Sequence, residues 1–141
     1  MNLRALVPHD MPAARDLLAA SDLPIDDLDD PSISLAGAFV NGSLVGVVGL
    51  QTCGDVGLLR SLAVVPARRG DGIARALCEH VFQIAAARSL PTLWLLTATA
   101  KDYFARHAFE AVPRDQVPDA IRATAQFSSL CPSSAHVMRR G

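Results

Sequence analysis

The sequence predicts an α+β domain with a mixed, mostly antiparallel central sheet flanked by helices. Three observations predict it. Two hairpin signals, Asn41-Gly42 and Gly54-Asp55, join three consecutive apolar runs between Leu35 and Val65. Beyond Pro66 the hydrophobic period becomes helical, with Ile73, Leu77, Val81 and Ile84 on one stripe. Thr92 to Leu96 is then nearly all apolar, the pattern of a strand buried on both faces.

The elements follow in order. Leu3 to Val7 is a short apolar run and reads as a first strand. Pro8-His9-Asp10 breaks it, and Asp10 is a good N-cap for a helix from Met11 to Ala20, whose Met11, Ala14, Leu17 and Leu18 keep helical spacing. Leu23 to Pro31 is an acidic loop bracketed by prolines. Leu35–Val40, Leu44–Thr52 and Val56–Val65 are the three hairpin-linked strands. Pro66 to Gly72 is a turn rich in glycine and arginine, and the helix after it runs from Gly72 to Arg88. Thr92–Leu96 is the buried strand, and Thr97 caps a helix reaching about His107. Phe109–Val112 is a short strand, Pro113 to Thr124 holds two prolines and one short helix, and Ala135–Arg140 is the last strand.

The chain has 141 residues, which is most simply one domain spanning 1–141. Half of the residues are hydrophobic and 19% are charged, which excludes a disordered chain. Thirteen basic and 14 acidic side chains leave a net charge of -1, without the basic excess of a non-specific nucleic-acid binder. No apolar run approaches the roughly 20 residues that span a bilayer. Cys53, Cys78 and Cys131 are odd in number and far apart, so neither a disulfide framework nor a zinc site is indicated. His9, His80, His107 and His136 show no ligand spacing, and no metal is expected. A cytoplasmic protein is the expectation.

The strongest local signal is Pro66-Ala67-Arg68-Arg69-Gly70-Asp71-Gly72-Ile73-Ala74, between a strand and an amphipathic helix. Gly70, Gly72 and Ala74 let a ligand approach the backbone, and the first N–H groups of the helix have no partner within it. Such a turn is suited to a pyrophosphate, with Arg68 and Arg69 adding charge at its rim. It also reads as a plain strand-to-helix turn. There is no Gly-Lys-Ser/Thr of a nucleotide P-loop, and no third glycine of a dinucleotide fold.

Leu62-Ala63-Val64-Val65-Pro66 followed by Arg69-Gly70-Asp71-Gly72-Ile73-Ala74 resembles motif A of the GCN5-related N-acetyltransferases, whose Arg/Gln-x-x-Gly-x-Gly/Ala pattern falls on Arg69, Gly72 and Ala74. Thr97, Ala100, Phe104 and Phe109 stand where that family has Asn-x-x-Ala-x-x-x-Tyr and its closing Gly-Phe. Leu23-Pro24 with Asp27-Leu28, the string Gly57 to Leu62, the string Leu95 to Ala100 with Tyr103-Phe104, and Phe127 to Ala135 are similar to the arsenic-resistance N-acetyltransferase branch. That branch is itself similar to the acetyltransferase domain of N-acetylglutamate synthases.

The resemblance implies acetyl-CoA as co-substrate, held by Leu62, Ala63, Val64, Arg68 to Ala74, Thr97 and Phe104. It implies an amino-acid-like acceptor, either glutamate or a glutamate-like arsenical or phosphinic compound, and a homodimer. The pantetheine arm would pair with Leu62 to Val64 as an added strand, and a backbone N–H near Leu62 would polarise the thioester. The family's acid tyrosine falls at Phe104, so the candidates are Tyr103, the serines Ser133 and Ser134, and water. The strand glutamate of the synthases falls at Leu58. Asp26 and Asp27, in the loop that lines the acceptor mouth, are candidates for amine binding; they also read as a solvated acidic turn. Arg60 suits a carboxylate, phosphinate or arsonate, or an internal salt bridge; strand alternation puts Arg60 and Leu62 on one face, Leu59 and Ser61 on the other. A non-catalytic acyl-CoA sensor is the rival from a different class. Cys131 reads either as a ligand of trivalent arsenic together with a second thiol or as a small buried residue, and Cys53 and Cys78 fall on different elements, which favours the latter.

Overall fold

The computed structural model describes residues 1–130 and 134–141. Cys131, Pro132 and Ser133 lie outside the described residues, and with them the readings of Cys131 and Ser133. Strands β1 (Asn2–Ala5), β2 (Ile33–Val40), β3 (Ser43–Cys53), β4 (Val56–Val64), β5 (Leu93–Thr97), β6 (Glu110–Ala111) and β7 (His136–Arg140) form one sheet in the order β1-β2-β3-β4-β5-β7-β6. Helices α1 (Met11–Ala20), α2 (Ile73–Ala87), α3 (Lys101–Ala105) and α4 (Asp119–Arg122) flank it.

The hairpin signals hold: Asn41 and Gly42 both have positive φ, at 50° and 79°, so the β2–β3 turn is the primed type that matches strand twist. α2 begins one residue after Gly72, which sits at the N-cap in the left-handed region. Its stripe Ile73, Leu77, Cys78, Val81 and Ala85 is buried against β2, β3 and β4, together with Phe104 and Phe109. Burying each of the larger aliphatic side chains there is worth about 1.5–3 kcal/mol. On the other face Ala14 and Leu18 of α1 pack on Val47 and Ala63, and Val117 and Ile121 of the α4 region pack on Leu58 and Trp94. The third helix is shorter than its apolar pattern predicts. Thr97 Oγ1 accepts from the Ala100 N–H at 3.0 Å, which spends the capping group on a turn before the helix starts.

Two features of β4 place the site. Its register on β3 steps from Val47↔Ala63 to Gly49↔Arg60, so Ser61 and Leu62 together oppose Val48. Ser61 takes φ 58°, a left-handed conformation uncommon for serine. This bulge reverses the alternation of faces. Leu59 and Val64 lie in the α2-side core, with Leu62 packed against it. Leu58 and Ala63 lie on the opposite face. The expectation that Arg60 and Leu62 share a face is therefore overturned: Arg60 reaches the loop after α1, whereas Leu62 faces α2. Second, β4 pairs with β5, in parallel, only at Gly57↔Leu93 and Leu58↔Trp94. Beyond Leu58 the two strands part.

Candidate active site

The parting strands open a cleft of about 1300 Å³. Its walls are Leu59 to Val64 of β4, Leu95 to Ala100 from β5 onward, and Tyr103, Phe104 and His107 around α3. The glycine turn and the first turn of α2 close one end; Ser21 to Pro24, Gln126 and Leu130 border it elsewhere. The site residues expected from the sequence are mostly brought together here. Leu62, Ala63, Val64, Arg68, Arg69, Gly70, Gly72, Ile73, Ala74, Thr97 and Phe104 all line the cleft, as do Arg60 and Tyr103. Asp71, Asp26, Asp27 and Ser134 are not among its lining residues; Asp71, Asp26 and Ser134 are exposed.

The glycine turn leaves its backbone open to the cleft. Gly70 and Gly72 have φ 89° and 81°, and a Cβ on either would meet nothing within 4 Å, so both backbones face open space. Ala76 is the first residue of α2 to bond back, donating to Gly72 O at 3.1 Å. The N–H groups of the turn before it have no partner within the helix and lie at the positive end of its dipole. Arg69 Nε donates to Val64 O at 3.3 Å, which ties the turn to the end of β4. Arg68, Arg75, Arg106 and Arg140 add cationic charge along the cleft, with Asp22 and Glu79 as its carboxylates. Burial, reinforced by the neighbouring Arg75 and Arg106, holds the His107 imidazole below its ordinary pKa, so it is neutral at pH 7.

The bulge is fixed by a buried polar network. Arg60, 3% exposed, donates through Nη1 and Nη2 to the two carboxylate oxygens of Asp27, at 2.6 Å each. Its Nη1 also donates to Gln51 Oε1 at 3.2 Å, and its Nε to Ser61 Oγ at 3.1 Å. Gly49 stands opposite Arg60, and a Cβ there would sit 3.2 Å from Arg60 Cγ. Of the two sequence readings for Arg60, the internal salt bridge is the one present, and Asp27 is its partner.

The candidate acids are placed unequally. The Tyr103 hydroxyl is buried without a well-formed hydrogen bond among the described residues, beside the Cys78 thiol of α2; burial, more than that thiol, pushes its pKa up. Phe104 is buried edge-on to Phe109 and Tyr103. Cys53 and Cys78 are free and buried, with thiols pushed up to about 11 chiefly by burial, so both are inert at neutral pH. Among the described residues no cluster of His, Cys, Asp or Glu could hold a metal, and no helix is long and apolar enough to cross a membrane.

A mixed sheet opened between two parallel strands, with an anion-ready helix terminus at the opening, defines the architectural class. Residues 3–112 match the model of the Acetyltransferase (GNAT) family, and the chain belongs to that family. An amino-acid acetyltransferase of Mycobacterium tuberculosis is 31% identical over 93 residues, 65% of this chain and 50% of that protein. The chain thus spans about half the length of that curated relative. A solved Mycobacterium tuberculosis structure in complex with CoA has the same fold, with 23% identity, TM-score 0.82 and coverage of 99% of this chain and 98% of the other. The N-acetylglutamate synthase of Neisseria gonorrhoeae, solved with coenzyme A and N-acetyl-glutamate, superposes with TM-score 0.81 at 21% identity, over 99% of this chain and 34% of the synthase. None of the three carries an arsenic-resistance name.

Proposed function

We propose that this chain transfers the acetyl group of acetyl-CoA to the amino group of a small, amino-acid-like acceptor. The observation that carries the reading is the cleft between β4 and β5, with the open glycine turn at one end and an unpaired strand edge along its wall. The residues fit the co-substrate. Backbone N–H groups from Gly70 to Ala74, rimmed by Arg68 and Arg69, bind the pyrophosphate. Past Leu58, β4 has no partner on its β5 side, so Leu62 to Val64 offer backbone groups to the pantetheine amides. Thr97 and Phe104 flank the arm from β5 and α3.

Acetyl-CoA supplies an activated thioester. The chain's own contribution is position and polarity. The bulge turns the backbone around Leu62 into the cleft, where an N–H stabilises the developing oxyanion. The acceptor enters past Ser21 to Pro24, and holding the amine in line with the carbonyl carbon supplies most of the acceleration. Asp22 is the cleft carboxylate on that side, and it draws the ammonium proton off through water. Phe104 replaces the family's tyrosine, and the Tyr103 hydroxyl is turned to Cys78, so the leaving thiolate takes its proton from water. With Asp27 in its grip, Arg60 shapes the acceptor site through the bulge. The same reading takes residues 1–141 as one catalytic domain, acting as a homodimer in the cytoplasm; two buried free thiols suit a reducing compartment.

The test is release of CoA thiol from acetyl-CoA against glutamate, its phosphinic and arsenic analogues, other amino acids and a polyamine. Turnover with one of the amino-acid-like amines is expected. A preference for the arsenical over glutamate would assign the resistance role that the sequence strings suggest. Tight acetyl-CoA binding without turnover on any amine would make the chain an acyl-CoA sensor instead.

A further inference from the structure

One side chain on the acceptor side of the cleft is not singled out by any sequence motif. Gln126 is 4% exposed, lines the cleft, and its Oε1 is buried with no hydrogen-bond partner among the described residues. Buried amide oxygens are nearly always paired, so an orphan calls for a cause. The local turn does not supply one. Thr124 Oγ1 donates to Ile121 O at 2.7 Å and accepts from the Phe127 N–H at 3.2 Å, and Ser129 Oγ donates to Ala125 O at 3.2 Å. Gln51, also buried, shows the contrast: its Nε2 donates to Ser32 Oγ at 3.1 Å and its Oε1 accepts from Arg60.

The position of Gln126 gives its orphan oxygen a meaning. The next residue, Phe127, packs with Leu58, Trp94 and Ile121 on the face of the sheet opposite α2. The glycine turn that meets the pyrophosphate opens from the α2 side. Gln126 therefore approaches the parted strands from the side left to the acceptor. We infer that Gln126 contacts the acceptor directly: Oε1 accepts a hydrogen bond from its amino group, and Nε2 donates to an oxygen of the same amino-acid-like molecule. Gln126 is then a specificity-determining residue for a ligand carrying both an N–H donor and an acidic oxygen. An amide reads such a pair without a buried charge of its own. The inference rests on the acetyl-transfer reading above and names the group that orients the amine.

Gln126→Met keeps the length of the side chain and removes both polar atoms. Acetyl-CoA affinity, titrated by calorimetry, is expected to stay within about twofold of wild type, while the KM of the amine rises about tenfold or more. The unfolding midpoint of Gln126→Met is expected to equal or exceed wild type, because an unpaired buried oxygen has been removed. Gln126→Glu keeps an acceptor oxygen but replaces the Nε2 donor with a second, charged oxygen facing the acidic oxygen of the ligand, so the amine KM is expected to stay raised; a wild-type KM in this variant overturns the two-point contact. A glutamine with a merely structural role gives the reverse, a lower unfolding midpoint with an unchanged amine KM, and overturns the inference. Wild-type protein that turns over no amine sinks the acetyl-transfer reading and this inference with it. Wild-type turnover with an unaltered amine KM in Gln126→Met overturns the inference alone.

Discussion

The buried ion pair at the bulge makes the sharpest energetic prediction. The Arg60 side chain is 1% exposed and the Asp27 side chain 10%. Asp27→Ala removes two short hydrogen bonds and leaves a buried guanidinium hydrogen-bonded, among the described residues, to Gln51 and Ser61, with the Asp30 carboxylate acting on it at longer range. Breaking a buried pair from one side costs about 3–5 kcal/mol, because the remaining charge is uncompensated. The lower end applies here, since the loop carrying Asp27 can let water in, and at roughly 3 °C per kcal/mol for a chain of this size the midpoint falls by about 10 °C. The neighbour Asp26 is exposed, so Asp26→Ala is the matched control and should change little. Arg75–Glu79, with side chains 74% and 56% exposed, is the contrasting pair, worth about 1 kcal/mol or less. Urea unfolding followed by circular dichroism gives all three values. The double variant Arg60→Met with Asp27→Leu removes both charges and should cost less than Asp27→Ala alone. If Asp27→Ala unfolds within about 1 kcal/mol of Asp26→Ala, the pair does not hold the bulge and the reasoning fails.

Further predictions concern the glycine turn, the acid candidate and pH. Gly72→Ala and Gly42→Ala each place a Cβ at positive φ and should each lose about 1 kcal/mol of stability. Gly72→Glu alone should also weaken acetyl-CoA binding by well over an order of magnitude, read by calorimetry, whereas Gly42→Glu should leave it intact. Tyr103→Phe should keep kcat within a few-fold of wild type across the pH profile; loss of one limb of that profile would identify the Tyr103 hydroxyl as the acid. The Arg4 guanidinium and the Val7 N–H hold the Asp10 carboxyl down to about 2, from an ordinary value of 3.8. A depressed folded pKa stabilises above the unfolded value, so the stability lost in Asp10→Asn should be constant above about pH 5 and should vanish as pH falls through about 2. Unfolding curves of both proteins between pH 7 and pH 2 test it, and a difference that grows on acidification contradicts it.

What the sequence reveals and hides here divides along the range of the interactions. The α1 helix falls on Met11–Ala20 as its apolar spacing predicts, and the β2–β3 and β3–β4 hairpins fall on their turn residues, because those signals are local. The anion-ready turn is local too: Gly70 and Gly72 need positive φ, and their neighbours supply the charge. The bulge is different. Nothing in Leu59-Arg60-Ser61-Leu62 announces a serine at φ 58°; that conformation follows from the β3 register, from Gly49 clearing space for the Arg60 stem, and from a carboxylate 33 residues away in sequence. Strict alternation consequently predicts the wrong face for Leu62. The same limit hides Gln126, an ordinary polar residue until the sheet brings its unpaired oxygen to the cleft.

That division bears on how the site works. The co-substrate half is built from backbone on contiguous stretches, β4 into the glycine turn into α2, so a short motif can encode it. The acceptor half, as proposed, draws on Ser21 to Pro24, the bulge at Ser61 and Gln126, three segments of the cleft wall that are far apart in sequence. Arg60 links two of them, fastening the loop after α1 to β4 through Asp27. A change in acceptor preference can therefore arise by altering loop residues around Asp22 or the segment at Gln126 while the glycine turn stays untouched. Solved structures with the same fold at 21–23% identity, each covering 99% of this chain, show how far the sequence can change while the sheet and its helices stay the same.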